Sequence, residues 1–419
     1  MHNEKHLIFV HSLYYPDHSA GSQMLTDLSV YLVENGFEVS IITSRKIYGA
    51  DIDSLPNYEQ INKVNVFRKY SFSFGRKTLI GRFLDYISLE ISMLIGIFNK
   101  TRRGDIVILM TDPPLLNIIA SSLINRRGGL IVNWLQDLFP EVAVGAGLIS
   151  HSSILNKSLT NIRNKALNRA NKNIVIGSSM RNYLIDIGIE SDKIIGISNW
   201  ADGNKIKSIP NDENYIRQKW GLDDKFVVGY SGNLGKAHDI STILKVIDKL
   251  KNDDYIKFLF IGGGIGMNII KKYSQDKQLK NVIFKPYQPR HLLHLTLSVA
   301  DIHWITLEPQ MESFILPSKI YGILAAAKPI IFIGDKNGEI AKMIDKIDCG
   351  KTIEIGDSDI LIETIIIFSK DIKLLNEMGQ RGRLEFKQKY DFQVSAKKFL
   401  ILFNDLMSST NVKNFLHKS

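Results

Sequence analysis

The segment Phe226-Val227-Val228-Gly229-Tyr230-Ser231-Gly232-Asn233-Leu234-Gly235-Lys236-Ala237-His238-Asp239 decides the fold. Phe226–Tyr230 is a short apolar run of strand length. A small-residue turn follows it, and a helix-like stretch begins near Ile240. Strand, glycine turn and helix in that order form one half of a βαβ unit. The two glycines permit close backbone approach, Lys236 adds a cation, and His238 or Asp239 can cap the helix. Such a turn suits a pyrophosphate, although neither GxxxxGK[ST] nor GxGxxG is present.

The same alternation extends in both directions along the chain. Expected strands in the first half are Leu7–Val10, Glu38–Thr43, Val64–Phe67, Ile106–Met110, Leu130–Asn133 and Ile174–Gly177. A turn-rich stretch, Ser198-Asn199-Trp200-Ala201-Asp202-Gly203, precedes a second series. That series contains Phe226–Tyr230, Lys257–Gly262, Val282–Lys285, Asp301–Ile305, Pro329–Ile333 and Lys351–Ile353. The expected fold class is α/β, with two doubly wound halves: residues 1–203, residues 204–390, and a C-terminal amphipathic helix and tail over 391–419. Open parallel sheets bind ligands beyond the carboxyl ends of their strands, so function is expected in the loops after strands.

With 419 residues the chain has room for two or three domains, each with its own core. A net charge of +10 favours anionic partners without choosing among phosphorylated metabolites, lipid headgroups and nucleic acid. The single cysteine, Cys349, excludes an internal disulfide, and no CxxC or HExxH pair offers a zinc site. No RRM-like aromatic and basic signature supports nucleic-acid binding. The apolar run His6–His11 is too short for an export signal. Leu79–Phe98 is interrupted by Arg82, Asp85 and Glu90, which argues against a spanning helix. On a helical wheel Ile80, Phe83, Leu84, Ile87, Ile91, Leu94, Ile95 and Phe98 share a face. Two readings follow: a face packed on the core, or a face on an anionic bilayer, for which Arg68, Lys69, Arg76, Lys77, Lys100, Arg102 and Arg103 provide the charge.

Three further segments carry candidate chemistry. Tyr14–Gln23 is a small-residue turn between the first strand and a helix, where backbone amides around Gly21 can approach phosphate; an ordinary βα turn reads the same way. Gly262-Gly263-Gly264-Ile265-Gly266 reads chiefly as a tight strand-to-helix turn. Pro317 and Ser318 mark a helix start that puts Lys319 in the first turn, where a cation is unfavourable unless an anion lies between it and the free amides. Asp51-Ile52-Asp53 matches a metal-binding DxD on paper and is read as solvated surface, so no metal site is expected.

Together YYPDHSAG (Tyr14–Gly21), QDLFPE (Gln136–Glu141), Asn199-Trp200, YSGNLGKAHD (Tyr230–Asp239), LPSKIYGILAAAKP (Leu316–Pro329) and GDKNGEIA (Gly334–Ala341) resemble family 4 retaining glycosyltransferases of the GT-B fold. Within that family the chain looks most like the WbuB-like and colanic-acid-type enzymes of bacterial surface-polysaccharide assembly. The resemblance implies two Rossmann-like domains facing a cleft, with the C-terminal helix packing back across the hinge. It implies that Lys236 and Lys319 act on the departing diphosphate and that Asp137 acts on the acceptor side. Donor binding would fall to Gly21, Ser231, Gly232, Asn233, Tyr287, Ser318 and Glu339. The family's Glu-x7-Glu pair is broken by Gly322, which leaves Glu312 or Glu339 for the ribose.

The function these residues imply is metal-independent transfer of a sugar from a nucleotide-sugar, a UDP-linked amino or deoxy sugar, with no resident cofactor. The acceptor would be polyprenyl-diphosphate-linked, at the inner face of the cytoplasmic membrane, in O-antigen, capsule or exopolysaccharide synthesis. An inactive nucleotide-sugar-binding scaffold is the alternative that the missing carboxylate raises.

Overall fold

The computed structural model describes residues 5–47, 55–72 and 79–416, so Asp51 and Asp53 lie outside the described residues. The chain folds as two compact units, Met1–Ile197 with Ala396–Ser419, and Ser198–Ser395.

The first unit is built on an eight-stranded sheet. Its strands are β1 (His6–Val10), β2 (Glu38–Ser44), β3 (Tyr58–Ile61), β4 (Val64–Lys69), β5 (Ile106–Met110), β6 (Leu130–Leu135), β7 (Lys172–Val175) and β8 (Ile194–Gly196). They lie in the order β3-β4-β2-β1-β5-β6-β7-β8, all parallel except the β3–β4 hairpin. The helices are α1 (Ala20–Glu34), α2 (Leu79–Lys100), α3 (Leu116–Arg127), α4 (Glu141–Gly145), α5 (Ile154–Arg169) and α6 (Ser178–Asp186). The central strands are buried throughout because helices cover both faces of a parallel sheet, which is why they read as continuous apolar runs. On one face, Leu89, Met93 and Ile97 of α2 pack with Ile8, Val10, Val107 and Leu109.

The second unit has a six-stranded parallel sheet. Its strands are β9 (Phe226–Asn233), β10 (Ile256–Gly263), β11 (Val282–Lys285), β12 (Ile302–Thr306), β13 (Ile330–Ile333) and β14 (Gly350–Ile353), in the order β11-β10-β9-β12-β13-β14. Its helices are α7 (Tyr215–Lys219), α8 (Ser241–Lys249), α9 (Ile265–Asp276), α10 (Leu293–Ser298), α11 (Lys319–Ala325), α12 (Glu339–Ile347), α13 (Ser358–Lys370) and α14 (Ile372–Lys389). Phe258 stacks on Trp304 at 5.3 Å in the middle of its core. Two Rossmann-like sheets of this kind are the α/β architecture expected from the sequence.

The last helix, α15 (Phe392–Leu416), starts among residues of the second unit and continues into the first. Phe392 packs on Trp200 at 5.8 Å. Further along, fully buried Phe399 and Phe403 pack on Trp134 at 4.9 Å and Phe9 at 6.1 Å. Removing either ring would cost about 3–5 kcal/mol.

The apolar face picked out on α2 divides between the two readings: Leu94 packs against the core, whereas Leu84, Ile91, Ile95 and Phe98 are 39%, 53%, 56% and 45% exposed. The helix buries its other side, including Glu90.

Candidate functional site

Each sheet has one point where the strand order reverses direction, and the loops there splay apart to leave a crevice. In the second unit that point lies between β9 and β12. The two loops are tied together. His238 donates from Nδ1 to the Thr306 carbonyl, Asp239 N–H donates to Thr306 Oγ1 at 3.0 Å, and Glu308 N–H donates to the Ala237 carbonyl at 2.9 Å. Asp239 also caps α8, accepting from Ser241 N–H and Thr242 N–H at 3.0 and 3.2 Å.

The glycine turn is locked from below by the neighbouring strand. Gly232 pairs with Gly262 in the β9–β10 register, with φ of 126° and 128°. A Cβ at Gly262 would lie 2.3 Å from the Gly232 carbonyl oxygen, so both the backbone conformation and the close approach require glycine. A Cβ at Gly264 would meet Asn233 Oδ1 at 2.4 Å. The second glycine cluster therefore does more than turn into α9: it sets the height of the Ser231–Asn233 backbone.

Lys319, the first residue of α11 after Ser318, reaches this turn. Its Cε lies 3.7 Å from where a Gly232 Cβ would be, and its Nζ sits 4.1 Å from the Tyr230 ring centroid and donates to the Tyr230 hydroxyl. That hydroxyl in turn donates to the Asn233 carbonyl at 2.8 Å. Burial drives the Lys319 amine down to about 7 and the Tyr230 phenol up. Burial first, then the Lys319 charge, holds His238 down at about 3, so its ring is neutral with the Nδ1 proton on Thr306. Tyr287 is 60% exposed, and its ring edge is 3.2 Å from a Cβ built on Gly263.

Glu312 and Glu339 also come together. Glu339, in the first turn of α12, donates its N–H to Glu312 Oε2 at 3.2 Å, and the Glu312 carboxyl lies against Gly338. Burial, then the charges of Asp335 and Glu339, raise the Glu312 carboxyl to about 7 against the pull of that amide. At Gly322, the position of the missing acid, a Cβ would meet only Leu297, at 3.3 Å. Lys236 is exposed on the β9–α8 loop, and Ser231 and Ser318 are half-buried.

In the first unit the reversal lies between β1 and β5. Three loops converge there: His11 and Ser12 after β1, Thr111 and Asp112 after β5, and Asp137 after β6. Ser12 donates from Oγ to Asp112 Oδ1 at 2.9 Å and from N–H to the Asp112 carbonyl at 2.9 Å. Burial raises the Asp137 carboxyl to about 6; Thr111 bonds it, and the charges of Asp112 and His11 act on it in opposite directions. His11 Nδ1 is 2.7 Å from the Leu13 carbonyl, and its Nε2 faces α1, 3.0 Å from a Cβ built on Gly21. Gly21 thus lies beside an imidazole in the first turn of that helix. Sequence reasoning missed His11, Asp112 and Tyr230, which become site residues only once separate strands stand side by side. Among the described residues no group of three or more His, Cys, Asp and Glu side chains is placed to hold a metal ion.

Two Rossmann-like units, each with its loops gathered at a reversal point, are the two-domain α/β architecture of the GT-B fold. Residues 212–385 match the family model Glycosyl transferases group 1, and the chain is a glycosyltransferase carrying that domain. It is 28% identical over 345 residues to the probable glycosyltransferase WbjE of Pseudomonas aeruginosa, covering 81% of this chain and 85% of that protein. It is 22% identical to the putative colanic acid biosynthesis glycosyl transferase WcaI of Escherichia coli, over 81% of this chain and 86% of that one. Among solved structures, sucrose-phosphate synthase from Thermosynechococcus elongatus superposes with a TM-score of 0.77 at 14% identity, over 97% of this chain and 100% of the other. HepE from Anabaena, in complex with UDP and glucose, superposes with a TM-score of 0.69 at 15% identity, over 96% of this chain and 100% of that one.

Proposed function

We propose that this is a family 4 retaining enzyme that moves a sugar from a UDP-linked donor to a polyprenyl-diphosphate-linked acceptor. The setting is bacterial surface-polysaccharide assembly at the inner face of the cytoplasmic membrane. The observation that carries the reading is the Lys319 ammonium held against the Gly232 turn by Tyr230. The name of WcaI points toward colanic acid biosynthesis, and the UDP in the HepE complex fits the donor class.

In this reading the diphosphate lies on the Ser231–Asn233 backbone with Ser318 beside it. Lys319 and Lys236 neutralise the charge that gathers on the diphosphate as the anomeric carbon–oxygen bond breaks. Neutralising that charge is the role a metal ion takes elsewhere, and here the lysines take it. The acceptor hydroxyl forms the new bond on the same face of the sugar and passes its proton to the departing phosphate oxygen. Within the first unit, the Asp137 carboxylate is the group suited to bind the acceptor hydroxyl, and the Gly21 turn offers backbone amides suited to phosphate. Tyr287 borders the base, and Glu312 with Glu339 takes the ribose that the missing carboxylate would have bound.

The test is turnover. Membrane extract from a polysaccharide-producing bacterium, purified chain and radiolabelled UDP-sugars should yield labelled lipid, with the label retained in the α or β configuration of the donor. Binding of UDP-sugars without any labelled lipid, across a panel of donors and extracts, would favour the scaffold reading and overturn this one.

A further inference from the structure

The outward face of α2 has no role in the chemistry above, yet it leaves four large apolar side chains, Leu84, Ile91, Ile95 and Phe98, in solvent. Leu84, Ile91, Ile95 and Phe98 fall within about 60° of one another at 100° per residue and form a stripe ~21 Å long. Leu89, Met93 and Ile97 occupy the opposite side and are buried in the core. The helix is thus apolar on two sides, and only one of them is accounted for by the fold. Ile119 of α3, the helix that packs against α2, is also 50% exposed.

Cations surround one end of this surface. The Arg127 guanidinium lies 4.9 Å from the Phe98 ring centroid, and Lys100 Nζ lies 3.8 Å from that of Phe67. Arg102, Arg103 and Arg126 are exposed, and Arg103 is in contact range of Gly128 beside Arg127. Lys69 is pushed down by burial and by the charge of Lys100, as expected where cations are crowded together. Between Lys100 and Met110 the one acid, Asp105, is buried, with His6 at 3.0 Å and the Arg102 N–H at 2.8 Å on one oxygen, so a single buried carboxylate stands against this group of cations. Among the described residues no helix is long and apolar enough to cross a membrane.

We infer that α2 lies flat in the interface of an anionic lipid bilayer, with Leu84, Ile91, Ile95 and Phe98 inserted among the acyl chains and the Lys100–Arg103 and Arg126–Arg127 cluster on the headgroups. An apolar stripe one helix face wide, buried about 5–10 Å and bordered by arginine, matches the chemistry of that interface. Guanidinium groups that cover aromatic rings can turn their remaining N–H groups to phosphate without leaving the apolar surface. A protein partner would need acidic groups matched to each arginine, whereas a bilayer presents phosphate at every position. The inference rests on the proposed function only in that a lipid-linked acceptor lies in such a surface.

Flotation of the full chain with acceptor-free vesicles tests the surface apart from the chemistry. Vesicles of phosphatidylcholine with 30 mol% phosphatidylglycerol should carry the chain, pure phosphatidylcholine should carry much less, and raising salt from 50 to 300 mM should release it. Ile91→Glu with Ile95→Glu should lower partitioning at least about tenfold. Arg126→Glu with Arg127→Glu should lower it about 25-fold or more, at roughly fivefold per cation lost. All four positions are exposed, and circular-dichroism melts should match wild type for the isoleucine pair and show a folded, at most modestly less stable chain for the arginine pair, since Arg127 also donates to the Thr101 carbonyl at 3.2 Å. Partitioning that is unchanged in both double variants would overturn the inference. So would a wild-type dimer, by light scattering, that Ile91→Glu with Ile95→Glu converts to monomer, since the stripe would then belong to a second copy. Activity on a soluble acceptor analogue, unchanged in these variants, separates failure of this surface from failure of the proposed function.

Discussion

Replacing Lys319 by methionine should make the unliganded protein more stable and make it bind UDP worse. The amine falls from 10.5 to about 7 because its charge is buried, which at about 1.36 kcal/mol per pH unit amounts to about 5 kcal/mol. Partial solvent contact and the Tyr230 hydroxyl offset part of this cost, so the expected gain for Lys319→Met is about 2 kcal/mol. The unfolded chain keeps the proton to about pH 10.4, whereas the folded chain releases it near 7, so between these values the unfolded state binds more protons. Wild-type stability therefore rises with pH across that window, and the penalty is complete below it. The advantage of Lys319→Met should be largest at pH 6 and should fade by pH 10. Urea denaturation at pH 6, 8 and 9.5, followed by tryptophan fluorescence, to which Trp200, Trp220 and Trp304 of the second unit contribute, measures this difference. Calorimetry with UDP at pH 6.5 should show affinity reduced about 100-fold, or about 2.7 kcal/mol. A variant that is less stable than wild type at pH 6 and binds UDP equally well would refute the reasoning.

Asp137→Asn should lower transfer at least about 100-fold. In wild type, activity should rise with pH through about 6 as the raised carboxyl ionises, with a pH–rate profile as the check. The same shift means that the Asp137 contribution to stability declines as pH rises from 3.8 to about 6, because the folded state binds the extra proton there. Gly262→Ala should cost about 3 kcal/mol or more and abolish UDP binding, since its Cβ would strike the Gly232 carbonyl. Gly196→Ala, where nothing lies within 4 Å, should leave melting and binding unchanged and serves as the control. The His238 imidazole should show no NMR inflection between pH 5 and 8, because burial and Lys319 keep it neutral down to about 3; a midpoint near 6.5 would contradict the enclosed arrangement.

Strands such as Ile106–Met110 and Ile330–Ile333 were legible because a parallel sheet covered on both faces needs apolar side chains at every position. β3 was not, because it is an antiparallel edge strand whose residues are exposed or half-exposed, leaving no apolar run. β8 has only three residues. On α2 the periodicity identified an apolar face but could not say which way it points, since Leu89, Met93 and Ile97 provide a second apolar face on the same helix. At the site, the glycine turn and the helix start at Lys319 had local signatures. The Gly232–Gly262 pairing, the Tyr230 hydroxyl under Lys319, and the His11, Asp112 and Asp137 group had none, because each joins residues from separate βα units.

The two reversal points share a physical design despite their different residues. In each, burial works against the charged form of a group placed in the crevice: it lowers the Lys319 amine in one unit and raises the Asp137 carboxyl in the other. A charge kept in a poorly solvated place costs stability while the site is empty, and the same lack of solvent strengthens its interaction with an opposite charge or a polar hydroxyl once one arrives. A hydrated lysine, as exposed Lys236 is, carries no such stored cost and has correspondingly less to gain from a diphosphate. Of the two lysines, Lys319 should therefore dominate the stabilisation of the leaving group, with Lys236 contributing a screened, salt-dependent attraction.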